Sequence, residues 1–266
     1  MKLIQITDIH LAPPGMLISG RDPLANFDAA LDDITQRHPD AELIVVTGDL
    51  SHSGCREGYA QLRKRLARIR IPVALMIGNH DDRELFMQVF PERQGEAGFV
   101  QGMRELSQGR ALFLDTHDAE GHDGLLCERR LNWFEAQLAA GAGPFWVFLH
   151  HNPIPTHLSP IDRIMLRNPQ DFAAVVARHR DRIAHIFHGH THLPMSGALH
   201  GVPVSCPRGT AQAGFPNYGE DRLLPHSDLP ASYAVIISDG PITTVMMVEF
   251  GLHMAAMAGS QVAAGL

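Results

Sequence analysis

The sequence predicts a layered α/β domain with mixed β-sheets, and three observations lead there. Along most of the chain, short apolar runs alternate with stretches whose apolar residues recur at helical spacing. Later, strand-like runs follow one another across Gly and Pro turns, so strand–helix alternation gives way to consecutive strands. Several early runs are continuously apolar, as in strands buried on both faces.

Leu3-Ile4 and Ile6 read as the first strand. Asp22 caps a helix with Pro23 at its first position, and Leu24, Phe27, Leu31 and Ile34 keep helical spacing. Leu43 to Val46 is a second strand, and Tyr59, Leu62, Leu66 and Ile69 give a second amphipathic helix. Val73 to Ile77 is a third strand, followed by a short helix around Glu84 to Val89. Residues 91–110 are mixed and Gly-bearing and give no clear element, whereas Ala111 to Leu114 reads as a strand. Leu131 to Leu138 carries a helical stripe with Trp133 and Phe134. Phe145 to Leu149 is another buried strand, Asp171 caps a helix through Val176, and Ile183 to Phe187 is strand-like. Val202 to Ser205, Ala234 to Ile237 and Thr243 to Val248 are the later strands.

No repeat and no Pro/Ser-rich linker divides the chain, so residues 1–250 are expected to form one domain. Segments 155–170 and 207–230 are long, irregular and rich in Pro, which marks them as pocket or oligomer loops. Residues 251–266 are rich in Ala and Gly and form a C-terminal tail, either frayed or an oligomer contact.

Twenty-two Lys and Arg against 29 Asp and Glu leave a net charge of −7. The chain therefore lacks the surplus of cations that a non-specific nucleic-acid binder needs. No apolar run approaches 18 residues, so no membrane span is expected. The start meets polar Thr7 and Asp8 too soon for a signal peptide. Cys55, Cys127 and Cys206 are odd in number and far apart, which points to a reducing cytoplasm. The outlier is histidine, at 17 residues, and position has to decide its meaning.

Five polar clusters each follow an apolar strand: Asp8-Ile9-His10, Gly48-Asp49, Gly78-Asn79-His80-Asp81, His150-His151, and His188-Gly189-His190-Thr191-His192. Ligands of α/β sheets bind at the C-terminal strand ends, and a parallel sheet would bring these clusters together. Alone, each has an ordinary reading. Gly-Asp and Gly-Asn are turn signals, and His150-His151 before Asn152-Pro153 could simply end a strand. Five independent turns would not be expected to supply histidine or carboxylate at every sheet edge. N and O donors without cysteine suit Mn, Fe, Zn or Co, and seven such ligands hold two ions if one carboxylate bridges. Two ions about 3.5–4 Å apart clamp a phosphoryl group and make a water nucleophilic near neutral pH. A metallo-β-lactamase signature is excluded, because Pro194 and Met195 stand where His190-x-His192 would have to continue with Asp and His.

In order along residues 8–192, DIH, GD, GNHD, His150 and GHTH resemble the calcineurin-like metallophosphoesterases, whose pattern is D-x-H, G-D, G-N-H-D/E, H, G-H-x-H. Within that family the chain is most similar to class III cyclic nucleotide phosphodiesterases and bacterial glycerophosphodiesterases. HHNPIP at 150–155, Asp162 with Leu166-Arg167-Asn168, and LNWFEAQL at 131–138 carry this finer likeness. Those relatives usually follow the histidine pair with two prolines. Asn152 replaces the first here, which bears on the substrate pocket more than on the metals.

The resemblance implies an α/β/β/α sandwich of two mixed sheets flanked by helices. It implies that Asp8, His10 and His192 bind one metal, that Asn79, His150 and His190 bind the other, and that Asp49 bridges both with a hydroxide that attacks phosphorus. His80 would lie near the phosphate, donating a hydrogen bond or protonating the leaving alkoxide, and Asp81 would orient its ring. The implied activity is hydrolysis of small phosphodiesters, cyclic nucleotides or glycerophosphodiesters, by a homo-oligomer (dimer or larger). The alternatives are a phosphomonoesterase or nucleotide pyrophosphatase of the same superfamily, or a binding scaffold. The candidate loops hold only Arg163, Arg167, Arg208 and Arg222, few cations for a dianion or polyphosphate. His151 and His188 read as packing around ligands. His38, His52, His117, His122, His157, His179, His185, His200, His226 and His253 read as surface or loop, with His52 and His157 able to reach substrate. Arg208 and Tyr218 could wall the pocket or meet a partner subunit.

Overall fold

In a strand, successive side chains point to opposite faces, so alternation decides what each face packs against. The structure, a computed structural model, describes all residues except 94, 96–97, 142, 219–224 and 252–266. Arg222, His253 and the tail from 252 onward lie outside the described residues. Strand β1 (Lys2–Ile6) pairs in parallel with β2 (Leu43–Thr47), which pairs in parallel with β3 (Val73–Met76). On its other side β1 pairs antiparallel with β12 (Ser232–Asp239), and β12 with β13 (Ile242–Glu249), giving the order β13-β12-β1-β2-β3.

The second sheet contains β4 (Gly102–Leu106), β5 (Gly109–Phe113), β6 (Phe145–Phe148), β7 (Ile183–Phe187), β8 (Met195–Leu199) and β9 (Val202–Cys206), in the order β4-β5-β6-β7-β9-β8. It is parallel from β5 through β9, with antiparallel strands β4 and β8 at its edges. Both sheets are mixed. A two-residue ribbon, β10 (Ala213–Gly214) with β11 (His226–Ser227), stands apart.

Helices α1 (Pro23–Arg37), α2 (Arg56–Leu66) and α3 (Arg83–Val89) cover the outer face of the first sheet, against Ile4, Ile6, Ile44, Val46 and Leu75. Helices α4 (Glu128–Ala140) and α6 (Pro169–His179) cover the second, and α5 (Ser159–Asp162) is one turn in the loop after β6. The alternate residues Leu3, Leu43, Val45 and Met76 meet Phe113, Trp146, Phe148 and Phe187 between the sheets. Rings there stack, with Phe148 and Phe187 4.9 Å apart, and each buried ring contributes roughly 1.5–3 kcal/mol. The result is the expected α/β/β/α sandwich. No helix of the described residues is long and apolar enough to cross a membrane.

The Asp22 cap is present, its carboxylate accepting from the Leu24 and Ala25 amides. At α6 the expected cap is displaced. The N-cap position is Asn168, because Pro169 with its fixed φ begins the helix, and Asp171 falls in the first turn. Residues 102–106, without a clear element in the sequence, form β4. His117 and His185 are buried rather than at the surface.

His185 stacks on Phe187 at 4.2 Å and meets Ser205 Oγ at 2.8 Å, and burial pushes its pKa down to about 4. An unfolded chain binds this proton near pH 6.5, so stability is present above that pH and falls as pH drops towards 4, by up to roughly 3 kcal/mol. Thermal melts of His185→Gln should lose less stability between pH 6.5 and 4 than the parent does. Equal losses would remove His185 as the cause.

Candidate metal centre

Strands β1, β2, β3, β6 and β7 end on one edge of the sandwich, and each hands its chain directly to one of the polar clusters. The turns are tight. Asp8, His10, Asp49, His190 and His192 all have positive φ, between 41° and 68°. A non-glycine residue in that region costs about 1–2 kcal/mol, so five of them in one place mark geometry held against local preference.

The side chains converge. Asp8, His10, Asp49 and His192 place one donor atom each within 4.8 Å of the others. His10 Nε2 lies 3.1 Å from His192 Nε2 and 3.5 Å from Asp49 Oδ2, and His192 Nε2 lies 3.6 Å from Asp8 Oδ1. On the other side, Asn79 Oδ1 lies 3.1 Å from His150 Nε2 and 2.8 Å from His190 Nδ1, and His150 Nε2 lies 3.3 Å from Asp49 Oδ1. The two oxygens of Asp49 are thus divided, one towards each group.

Hydrogen bonds behind the site set which atoms carry lone pairs. His150 Nδ1 donates to Thr47 O at 2.8 Å, and His192 Nδ1 donates to Gln212 O at 3.2 Å. In the neutral, metal-binding form of the rings their Nε2 atoms are therefore acceptors, and they face the oxygens of Asp49, Asn79 and Asp8. Lone pairs gathered against lone pairs are a poor arrangement without a cation between them. The donor chemistry therefore fits two divalent ions, one on each side of Asp49. Burial works against a charge on His150, but Asp49 and Asp8 outweigh it and raise its pKa. Burial alone would raise Asp49, yet His150 and His10 hold it well below the usual carboxylate range. Burial pushes His10 and His190 well below their ordinary value, and neutral imidazole is the form that binds metal.

His151 also lies within this distance of His150 and His190, but its Nδ1 is engaged by Thr116 Oγ1 at 2.8 Å and its Nε2 by His122 O at 3.2 Å. It packs behind the ligands. His80 has its amide on Asp49 Oδ1 at 3.0 Å and its Nδ1 on His52 O at 2.8 Å, while its Nε2 makes no hydrogen bond among the described residues. It lines a cleft of about 760 Å³ together with Asn79 and His122. Asp81 does not turn towards that ring. Its carboxylate accepts from the amides of Leu50, Ser51 and Gly78 and from the Tyr59 hydroxyl, so it pins the loop after β2 to the loop after β3. The ring of His80 is oriented by the His52 carbonyl instead. Sequence reasoning gave no role to Gln212, and only the fold brings it behind His192.

Gly78 has no room for a side chain. A Cβ there would press on Asp49 Oδ1 and come within 2.5 Å of His150 Nε2. Gly78→Ala should therefore displace both and lower turnover about a hundredfold, the scale of a 1 Å misplacement. Steady-state kinetics at saturating metal would show it, and parental turnover would contradict the close approach.

A second cavity, of about 610 Å³, is lined by both Pro-rich segments, with Pro155, His157 and Leu158 from one and Arg208, Phe215 and Tyr218 from the other. Arg208 Nη1 is bound to Pro230 O and Glu249, and Arg167 is bound to Asp118 and Asp123.

Residues 1–194 match the family model for calcineurin-like phosphoesterases. A probable cyclic nucleotide phosphodiesterase of Rhodopseudomonas palustris is 40% identical over 240 residues, covering 88% of this chain and 87% of that protein. A glycerophosphodiester phosphodiesterase of Enterobacter lignolyticus is 33% identical over 72% of this chain and 71% of its own. Among solved structures, a dimetal phosphatase from Danio rerio superposes with a TM-score of 0.71 at 13% identity, covering 94% of this chain and 99% of that one, a likeness of fold.

Proposed function

This chain belongs to the calcineurin-like phosphoesterases, and we propose from that and from its site that it is a metal-dependent hydrolase of small phosphodiesters, with 3′,5′-cyclic nucleotides and glycerophosphodiesters as the substrate classes. The observation that carries the reading is the division of Asp49, one oxygen towards His10 and the other towards His150. Asp8, His10 and His192 would hold one ion and Asn79, His150 and His190 the other, with Asp49 shared. Bound there, two divalent cations screen the charge of the phosphodiester and lower the pKa of water enough to supply a nucleophile. The N and O donor set suits Mn, Fe, Zn or Co.

His80 supplies what the cations do not. With Nδ1–H given to the His52 carbonyl, His80 lines the cleft with its Nε2 unengaged among the described residues, and that atom can carry a proton to the oxygen of a departing alkoxide. Asp81 serves from behind by fixing the two loops that present Asp49 and His80. The loops at 155–170 and 207–230 wall the second cavity, which supports their reading as pocket segments. Arg167 and Arg208 are committed to carboxylates, which weighs against a pocket built for a dianionic monoester. A homo-oligomer in the cytoplasm remains part of this proposal, and light scattering on the purified chain would test the assembly.

The test of function compares bis(p-nitrophenyl) phosphate with p-nitrophenyl phosphate on protein stripped of metal and then reloaded with Mn²⁺. A diester preference that vanishes on stripping is expected. Preference for the monoester would replace this reading with a phosphatase.

A further inference from the structure

We propose that His52 is a positioning residue that sets the metal ligand His10 through its ring and the acid His80 through its backbone carbonyl. The inference rests on the reading of His10 as a ligand given above. His10 Nε2 faces Asp49 and His192, so that nitrogen must carry the lone pair and the ring proton must sit on Nδ1. A ligating imidazole needs an acceptor for that proton, which holds its tautomer and the angle of its ring. The group opposite His10 Nδ1 is His52 Nδ1, at 3.4 Å, with the two rings edge to face. His52 must then be the tautomer protonated on Nε2, with a lone pair on Nδ1.

The surroundings of His52 tie it to both neighbours. Its ring stacks on His80, 5.5 Å between centroids and 23° from parallel. Its amide donates to Leu11 O at 3.0 Å, which ties the loop after β2 to the loop after β1 that carries His10. Its carbonyl accepts from His80 Nδ1 at 2.8 Å. One residue therefore touches a ligand on one side and the proton donor on the other, by two separable groups.

The donor atoms of His10, His52 and His80 also lie close enough to suggest a third cation. That reading would require His10 to ligate through both nitrogens as an imidazolate. The hydrogen-bonded arrangement does not.

Two variants separate the roles. His52→Leu removes the acceptor, and His52→Asn puts a carbonyl oxygen where Nδ1 stood. Mn²⁺ binding to the stripped proteins, followed by calorimetry, should weaken for one ion by about 10- to 100-fold in His52→Leu. His52→Asn should recover most of that loss. Metal-free melting temperatures should match the parent's. At saturating metal, the ratio of alkyl to p-nitrophenyl diester turnover should stay unchanged, because the carbonyl that holds His80 is backbone. Parental affinity in His52→Leu, no recovery in His52→Asn, a lower metal-free melting temperature in His52→Leu, a changed leaving-group ratio, or a third ion lost with the ring would each overturn the proposal. If the parent itself fails to bind two ions, the reading of the whole site fails, and this inference with it.

Discussion

Asp49→Ala is expected to lose about a thousandfold in diester turnover, a rise of roughly 4 kcal/mol in the barrier, and to retain no more than one tightly bound metal ion. The reason is its divided geometry. Asp49 Oδ2 faces His10 and Asp49 Oδ1 faces His150, so deletion removes a charged donor from both groups at once. It also removes the acceptor for the His80 amide, which loosens the proton donor. Asn in place of Asp keeps the shape and removes the charge, and should fall between the parent and Ala in metal affinity. Kinetics at several metal concentrations, with elemental analysis of the dialysed proteins, would check this. Two ions retained in Asp49→Ala would mean that the carboxylate does not bridge.

The second large effect belongs to His80. His80→Ala should lower turnover of an alkyl diester by about 10²- to 10⁴-fold, the usual contribution of a positioned acid. Turnover of a p-nitrophenyl diester should fall far less, since that group departs without a proton. Metal content should not change, because no ligand is removed. Equal losses on both substrates would assign His80 to binding rather than to proton transfer, and full activity on the alkyl diester would dismiss it.

Much of this site was legible before the fold. The seven proposed ligands are polar residues placed directly after apolar runs, and parallel pairing of β1 with β2, of β2 with β3, and of β6 with β7 carries those distant segments to one edge. Buried parallel strands announce themselves by continuous apolar sequence, which is why they were found. Two of the strands that were missed are exposed edges. In Gly102–Leu106 only Leu106 is buried, and Met195–Leu199 contains Gly197 and three exposed residues, so neither shows a hydrophobic run. The cap of α6 was misplaced because Asp171 has the right chemistry for capping, while Pro169, two residues earlier, has the backbone constraint that begins the helix.

Roles that depend on orientation were not legible. Asp81 sits beside His80 in sequence, yet its carboxylate turns into the loops and is used up on backbone amides. His52 reads in the sequence as a loop histidine able to reach substrate, with no sign of a tie to a ligand. Its contact with His10, 42 positions away, exists only because β1 and β2 pair in register and release their loops side by side. His185 was placed at the surface because a lone histidine in a strand carries no sign of which face it occupies.

The most direct test of the account is crystallography of the Mn²⁺-loaded protein with anomalous scattering recorded at the manganese edge. The account predicts two peaks about 3.5–4 Å apart. One should lie among Asp8, His10 and His192, the other among Asn79, His150 and His190, with a carboxylate oxygen of Asp49 on each. A single peak, or two peaks with Asp49 bound to only one, would contradict it.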